Sequence, residues 1–384
     1  MRDLLTGEQR ADLISRGFSR RDFHRMAALL AGGALPFFHE QALAQRSRGT
    51  AAVVDAVKID ANENPMGPCA EAAEAIHAIV QQCGRYLTGE NSKMAATLAE
   101  QEGLSASYVQ PFAGSSSPLY QSILALCGKD RPYVVADPSY ELGARAAQFL
   151  GAPVINVPLV AKTFAHDVRR MAAAHPSPGV IYVCNPNNPT GTVTSKADIE
   201  WLVNNKPAGA IVLVDEAYIH FSASAVSAAY LAAADKDVIV LRTFSKLYGM
   251  AGLRAGAAMG RPDLLRKLSQ YSATSFLPVT GMAGATASLL SKTVVPERRK
   301  ITAGIREDTF AFLAKQGIEC IPSEANMFMM NVKRPGRDFS QAMAREGVYV
   351  GRVWPAWPTW VRVTVGTRED MARFQEACAK CYQT

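Results

Sequence analysis

Mostly apolar runs at residues 109–113, 133–136, 180–184, 210–214 and 238–241 punctuate the middle of the chain, with stretches long enough for helices between them. Short runs without strict alternation suit strands buried on both faces, as in a parallel sheet, and their alternation with helices predicts an α/β fold. Each run leads straight into polar or glycine-rich residues: Gly114-Ser115-Ser116-Ser117, Asp137-Pro138-Ser139-Tyr140, residues 185–191, Asp215-Glu216-Ala217-Tyr218 and Arg242-Thr243-Phe244-Ser245-Lys246. Ligands of open α/β sheets sit beyond the carboxyl ends of the strands, so five polar ends predict one shared pocket.

The N-terminus follows another pattern. Ser19-Arg20-Arg21-Asp22-Phe23 precedes an apolar stretch over 26–35, then Pro36-Phe37-Phe38, then Ala42-Leu43-Ala44 with small residues where a signal peptidase needs them. The apolar stretch is shorter than the roughly 20 residues that span a bilayer. Residues 1–44 therefore resemble a twin-arginine signal peptide, with His24 and Arg25 where Leu and Lys often stand. The expectation is a mature chain starting near Gln45, exported to the periplasm or beyond by the twin-arginine machinery, or cytoplasmic if the signal is unused.

The 384 residues are 48% hydrophobic and 20% charged, enough to build a large core and too apolar for a disordered chain. The formal net charge of +7 is scattered, without the interleaved basic and aromatic stripe that tracks a nucleic-acid backbone, so nucleic acid is not an expected partner. Cys69, Cys83, Cys127, Cys184, Cys320, Cys378 and Cys381 make no CxxC pair and no zinc-type spacing, so no metal is expected.

The predicted pocket gathers an unusual set of groups. Residues 114–117 ahead of a helix offer backbone N–H groups and hydroxyls to a phosphate, and Thr243, Ser245 and Arg254 can add donors to it. Asp215 can hold a protonated ring nitrogen, and Tyr140 offers a face for stacking. Lys246 near Arg254 is expected to have a lowered amine pKa, which favours imine formation. Phosphate, cationic ring, stacked aromatic and nucleophilic amine together describe pyridoxal 5′-phosphate.

Five ordered motifs extend this into a family resemblance: residues 61–68 (Ala-Asn-Glu-Asn-Pro-Met-Gly-Pro), residues 185–191 (Asn-Pro-Asn-Asn-Pro-Thr-Gly), Asp215 to Tyr218, Thr243 to Lys246 with Gly252-Leu253-Arg254-Ala255-Gly256, and Arg362-Val363-Thr364-Val365-Gly366. From about Val57 onward the chain resembles a fold-type I pyridoxal-phosphate aminotransferase of class I/II, most similar to the histidinol-phosphate aminotransferase branch. The resemblance implies a mostly parallel sheet in a large cofactor domain over 95–290. It also implies an N-terminal arm and part of a smaller α+β domain over 45–94, completed by 291–384. It makes Lys246 the aldimine-forming lysine that also shuttles a proton, and Asp215 the partner of the pyridine nitrogen. Asn188 and Tyr218 hydrogen-bond the ring oxygen, and Tyr140 stacks on the ring. Ser115, Ser116, Thr243, Ser245 and Arg254 form the phosphate cup, and Arg362 clamps the substrate carboxylate, a bidentate task for arginine. Asn64 and Arg352 are further substrate-binding positions. Tyr86 reaches the phosphate of the other subunit in a homodimer, although Leu87 stands where relatives carry Pro.

The implied reaction moves an amino group between an amino acid, aromatic or histidinol-phosphate-like, and a 2-oxo acid. A lyase, racemase or amino-acid oxidase or hydroxylase on the same fold would keep the same motifs, and a non-enzymatic cofactor-binding module is a more distant alternative. Trp354, Trp357 and Trp360 fall within seven positions and either line an aromatic side-chain pocket or pack as a Pro-rich loop. Thr367 and Asp370 form a capping box that opens a last helix over 371–382.

Overall fold

A computed structural model describes residues 7–19, 55–272 and 276–382. The Arg20-Arg21 pair, the apolar stretch after it and the cleavage motif at Ala42-Leu43-Ala44 lie outside the described residues. In chain order the elements open with helix α1 (Gly7–Ser15), strand β1 (Val57–Ile59) and helices α2 (Ala70–Val80) and α3 (Gly89–Gln101). Strand and helix then alternate through β2 (Val109–Phe112), α4 (Ser116–Leu126), β3 (Tyr133–Asp137), α5 (Leu142–Leu150), β4 (Val154–Pro158), α6 (Val168–Ala173), β5 (Val180–Cys184), α7 (Lys196–Asn205), β6 (Ile211–Asp215), α8 (Ala229–Ala233) and β7 (Val238–Thr243). After β8 (Gly256–Gly260) come helices α9 (Pro262–Ser269), α10 (Val279–Leu290) and α11 (Val294–Lys315). The chain closes with β9 (Met327–Asn331), α12 (Gly336–Arg345), β10 (Val348–Val350), β11 (Trp360–Thr364) and α13 (Arg368–Tyr382).

Seven strands make one sheet in the order β2-β8-β7-β6-β5-β3-β4, parallel from β7 through β4. The α/β reading and the mostly parallel sheet are borne out. The run at 109–113 departs from the expectation of a parallel strand: β2 pairs antiparallel with β8, which in turn pairs antiparallel with β7. Apolarity reports burial and not direction. Two reversals nevertheless return β2 to the direction of β7, so its carboxyl end opens on the same side as the others. The central strands are apolar up to their carboxyl ends because helices cover both faces, and β5, β6 and β7 are buried along their whole length.

A second core forms around two small sheets, β1 parallel to β10 and β11 antiparallel to β9. Phe328, Met330, Val361 and Val363 pack there against Met371 and Phe374 of α13. The capping box is present, since the Thr367 N–H donates to Asp370 Oδ2 at 2.9 Å and the Asp370 N–H to Thr367 Oγ1 at 3.1 Å. It opens α13 three residues earlier than expected.

Two buried arginines tie distant segments to the large core. Arg242 Nη2 lies 2.6 Å from Glu216 Oε2 and Nη1 lies 2.8 Å from Glu102 Oε1, a nearly solvent-free triad at the end of β7. Burial raises the Glu216 pKa, against the pull of Arg242. Arg16, following α1, is fully buried: Nη1 donates to the carbonyls of Leu124 (2.6 Å) and Cys127 (3.0 Å), and Nη2 to the Tyr271 hydroxyl (2.9 Å). A cation thus satisfies carbonyls left open where α4 ends, which the helix dipole also favours. Leu13 and Phe18 bury beside it in the large core.

Candidate functional site

Three neighbouring strand ends set the floor of the site. Register pairs Asp215 with Cys184 of β5 and with Leu241 of β7, so residues 185–191, 215–218 and 243–246 emerge side by side. Asp215 is 3% exposed and accepts from the Tyr182 hydroxyl (2.9 Å, at Oδ2) and the Ala217 N–H (3.1 Å, at Oδ1). Those hydrogen bonds hold its pKa down, yet burial outweighs them and pushes it from 3.8 up to about 6. Such a carboxylate is poised for a cation that would offset its lost hydration.

An anion seat lies at the opposite corner. Ser115 and Ser116 stand where β2 turns into α4, so the free N–H groups of that helix face the same end of the sheet. Arg254 reaches across, donating to Ser245 Oγ (3.3 Å) and to the Ala113 carbonyl (3.1 Å), while Thr243 Oγ1 donates to Ser245 Oγ (3.0 Å). Gly114 has φ +88°, and a Cβ there would collide with the Arg254 guanidinium. The structure therefore gathers all five expected cup residues around one backbone turn. Partial burial lowers the pKa of Arg254 from its ordinary value, and Tyr140 lies close enough to oppose that shift.

Between the two corners sits Lys246. Its Nζ donates to the Ala61 carbonyl (3.3 Å) and lies 5.7 Å from the centre of the Tyr218 ring. The Tyr218 hydroxyl accepts from Asn62 Nδ2 (2.9 Å), and Asn62 is locked in turn by two hydrogen bonds with Thr364. Asn188 Oδ1 accepts from Arg362 Nη1 (2.9 Å), and Arg362 Nη2 donates to the Asp60 carbonyl (2.7 Å). Arg362 is fully buried, so its guanidinium is fixed in the plane these acceptors dictate. Tyr182 and Asn62 were not singled out from the sequence. The first is one more apolar-looking residue in β5, and only its place one strand away from Asp215 gives it a role.

Tyr140 is buried in a turn held from the C-terminal part of the chain at both sides. The Trp354 indole N–H donates to the Ser139 carbonyl at 2.9 Å, and Arg352 Nη1 is ion-paired with Glu141. Of the three tryptophans, Trp354 faces the site, with its ring 4.8 Å from the Arg352 guanidinium carbon and 5.6 Å from that of Arg362. Trp357 and Trp360 instead pack on Phe164 and on each other, which is the packing reading of that loop. Asn64 lies at the edge, and both ends of its amide are engaged locally, Nδ2 to the Leu247 carbonyl (2.8 Å) and Oδ1 from the Met66 N–H (3.1 Å). Tyr86 is 71% exposed and stacks on Phe276 at 4.1 Å rather than entering this chain's own anion seat. Leu87 has φ +43°, a backbone conformation closed to proline.

A hydroxyl-lined anion seat, a buried carboxylate awaiting a cation and an amine between them fit a phosphorylated aldehyde on a basic aromatic ring. The comparisons agree. The model of the family "Aminotransferase class I and II" matches residues 54–378. The chain is 36% identical over 84% of its length to the histidinol-phosphate aminotransferase of Symbiobacterium thermophilum, covering 90% of that protein. It is 31% identical over 85% of its length to the aromatic amino acid aminotransferase of Cutibacterium acnes, covering 92% of it. Its fold matches histidinol-phosphate aminotransferase from Sinorhizobium meliloti, solved in complex with pyridoxal-5′-phosphate, with a TM-score of 0.81 at 22% identity, over 91% of this chain and 96% of that one.

Proposed function

The chain belongs to the aminotransferase class I and II family and is a pyridoxal-phosphate-dependent transaminase; from that premise we propose that Lys246 carries the cofactor and moves the proton of an amino acid whose nitrogen passes to a 2-oxo acid. When bound, pyridoxal phosphate supplies an aldehyde that condenses with amines and a ring that withdraws electrons from the substrate Cα. The cup of Ser115, Ser116, Thr243, Ser245 and Arg254 fixes its phosphate. Ionised Asp215 keeps a proton on the ring nitrogen, and Tyr182 and the Ala217 N–H orient that carboxylate. Tyr140 would stack on the ring. Tyr218 and Asn188, oriented by Asn62 and Arg362, would hold the ring oxygen. Arg362 would take the substrate carboxylate, and Lys246 Nζ would carry the proton on and off Cα.

The observation that carries this reading is the pairing of a buried carboxylate with a pKa near 6 on β6 with a lysine just past the next strand, β7. Borohydride reduction of the purified protein followed by peptide mass mapping tests it. The label is expected on Lys246. A Lys246→Ala variant that keeps its fold and still converts the cofactor with an amino acid at the normal rate would refute it.

The exposed Tyr86–Phe276 pair supports a homodimer in which Tyr86 serves the neighbour's anion seat; sedimentation at working concentration checks this. The Arg20-Arg21 pattern supports export by the twin-arginine route. Fractionation of cells carrying Arg20→Lys/Arg21→Lys reads it directly.

A further inference from the structure

We propose that Glu324 is a positioning residue for Tyr218, its carboxylate fixing the turn that carries Tyr218 while its backbone holds the turn that carries Asn188. This rests on the transaminase reading above and deepens it by naming what sets the two groups assigned to the ring oxygen against each other. Glu324 lies in the loop between α11 and β9, outside the large sheet. Its side chain nevertheless reaches back about a hundred residues in sequence. Oε2 accepts from the Ser222 hydroxyl (2.5 Å) and from the N–H groups of Ala223 and Ser224 (both 3.2 Å), and Oε1 accepts from the Ser224 hydroxyl (2.6 Å). Burial would raise the Glu324 pKa, yet the hydrogen bonds from Ser222 and Ser224 outweigh it and lower that pKa, so the carboxylate is ionised and its bonds are charge-assisted.

What the carboxylate grips is the exit of one tight turn. Tyr218 opens a single helical turn over Ile219–Phe221, in which the Phe221 N–H donates to the Tyr218 carbonyl (3.1 Å) and the Ser222 N–H to the Ile219 carbonyl (3.2 Å). Ser222 is the next residue and is buried, so the clamp sits directly on the end of that turn. The other turn is held by main chain. The Glu324 N–H donates to the Gly191 carbonyl (2.9 Å), and the Gly191 N–H donates to the Asn187 carbonyl (2.7 Å), closing the loop around Asn188. Gly191 has φ +70°, and Ser323 fills the place where a Cβ would stand, so the two segments meet at backbone distance. One residue thus binds both turns, and only the half that serves Tyr218 depends on its side chain.

The test is a pH titration of the cofactor's visible absorbance in the full-length holoenzyme without substrate. A hydroxyl that donates to the ring oxygen favours its ionised form, so Tyr218→Phe should raise the apparent pKa of that band. Glu324→Ala should raise it in the same direction by about 0.5 unit or more, and most of that shift should vanish in the Tyr218→Phe background. Glu324→Gln can still accept from Ser222 and the two N–H groups and should stay within about 0.2 unit of wild type, a rescue that separates positioning from charge. Should Glu324→Ala fail to fold, Ser224→Ala at its exposed position removes the Oε1 donor alone and should give a smaller shift that Tyr218→Phe likewise abolishes. No shift in these variants while Tyr218→Phe does shift the band, or a shift that adds in full to that of Tyr218→Phe, overturns the proposal. A Tyr218→Phe protein that titrates as wild type refutes the ring-oxygen role of Tyr218 itself, so the two failures are told apart.

Discussion

Asp215→Asn in the cofactor-free protein isolates the electrostatic design of the site. Burial lifts the Asp215 pKa from 3.8 to about 6 against the hydrogen bonds from Tyr182 and Ala217. Between those two values the folded chain holds a proton that the unfolded chain has released, so this group makes stability fall as pH rises from about 4 to about 6. A shift of about two units at 1.36 kcal/mol each corresponds to about 3 kcal/mol. Asparagine fills the same space and carries no charge to desolvate. The two apoproteins should therefore be nearly equal in stability at pH 4, while the variant should be about 3 kcal/mol more stable at pH 7. His166, whose pKa burial lowers to about 4, contributes with the opposite sign in wild type and variant alike and cancels in the difference. Urea unfolding of both proteins across that pH range, at one protein concentration, measures the gap. A gap that stays flat within about 0.5 kcal/mol would show that Asp215 ionises as an ordinary surface carboxylate, and the reasoning would fail. Saturating pyridoxal phosphate should reverse the order at pH 7, because only the carboxylate offsets a proton on the ring nitrogen.

Arg242→Met strands two acids, one of them buried Glu216, and should cost about 3–5 kcal/mol by denaturant unfolding; pairing it with Glu216→Leu should recover most of that. Gly114→Ala forces a side chain toward Arg254 at φ +88°, so the cofactor dissociation constant measured by fluorescence should rise at least tenfold with little change in the fold. Arg16→Ala leaves the Leu124 and Cys127 carbonyls without their donor and should destabilise the uncleaved chain by about 2–4 kcal/mol, read as a lowered unfolding midpoint.

Five strand positions were legible because β3, β5, β6 and β7 are covered on both faces and β2 ends in a polar cluster, so each reads as an apolar run closed by chemistry. β8 escaped notice because Gly-Ala-Ala-Met-Gly has no strand-like side chains; the small residues are there so that β2 and β7 can approach, as Gly256 against the Gly114 backbone shows. β4 sits at the sheet edge with a mixed pattern and was equally hidden. Motifs located Lys246, Asp215, Arg254 and Arg362, since chemistry restricts what can stand there. Tyr182 and Asn62 act only through a partner far away in sequence, and no spacing rule exposes a contact across 33 residues such as Tyr182 to Asp215.

The seat of Arg16 ties the first described segment to the large core. Residues 20–54 run between two anchored points, the Arg16–Phe18 contact and β1, so α1 stays beside its groove at the high effective concentration of a tethered ligand. If the proposed export signal were cut behind Ala44, that intramolecular contact would become a bimolecular one. Dissociation of the severed peptide, and the hydration of two carbonyls at the end of α4 that follows, would then set the pace of maturation.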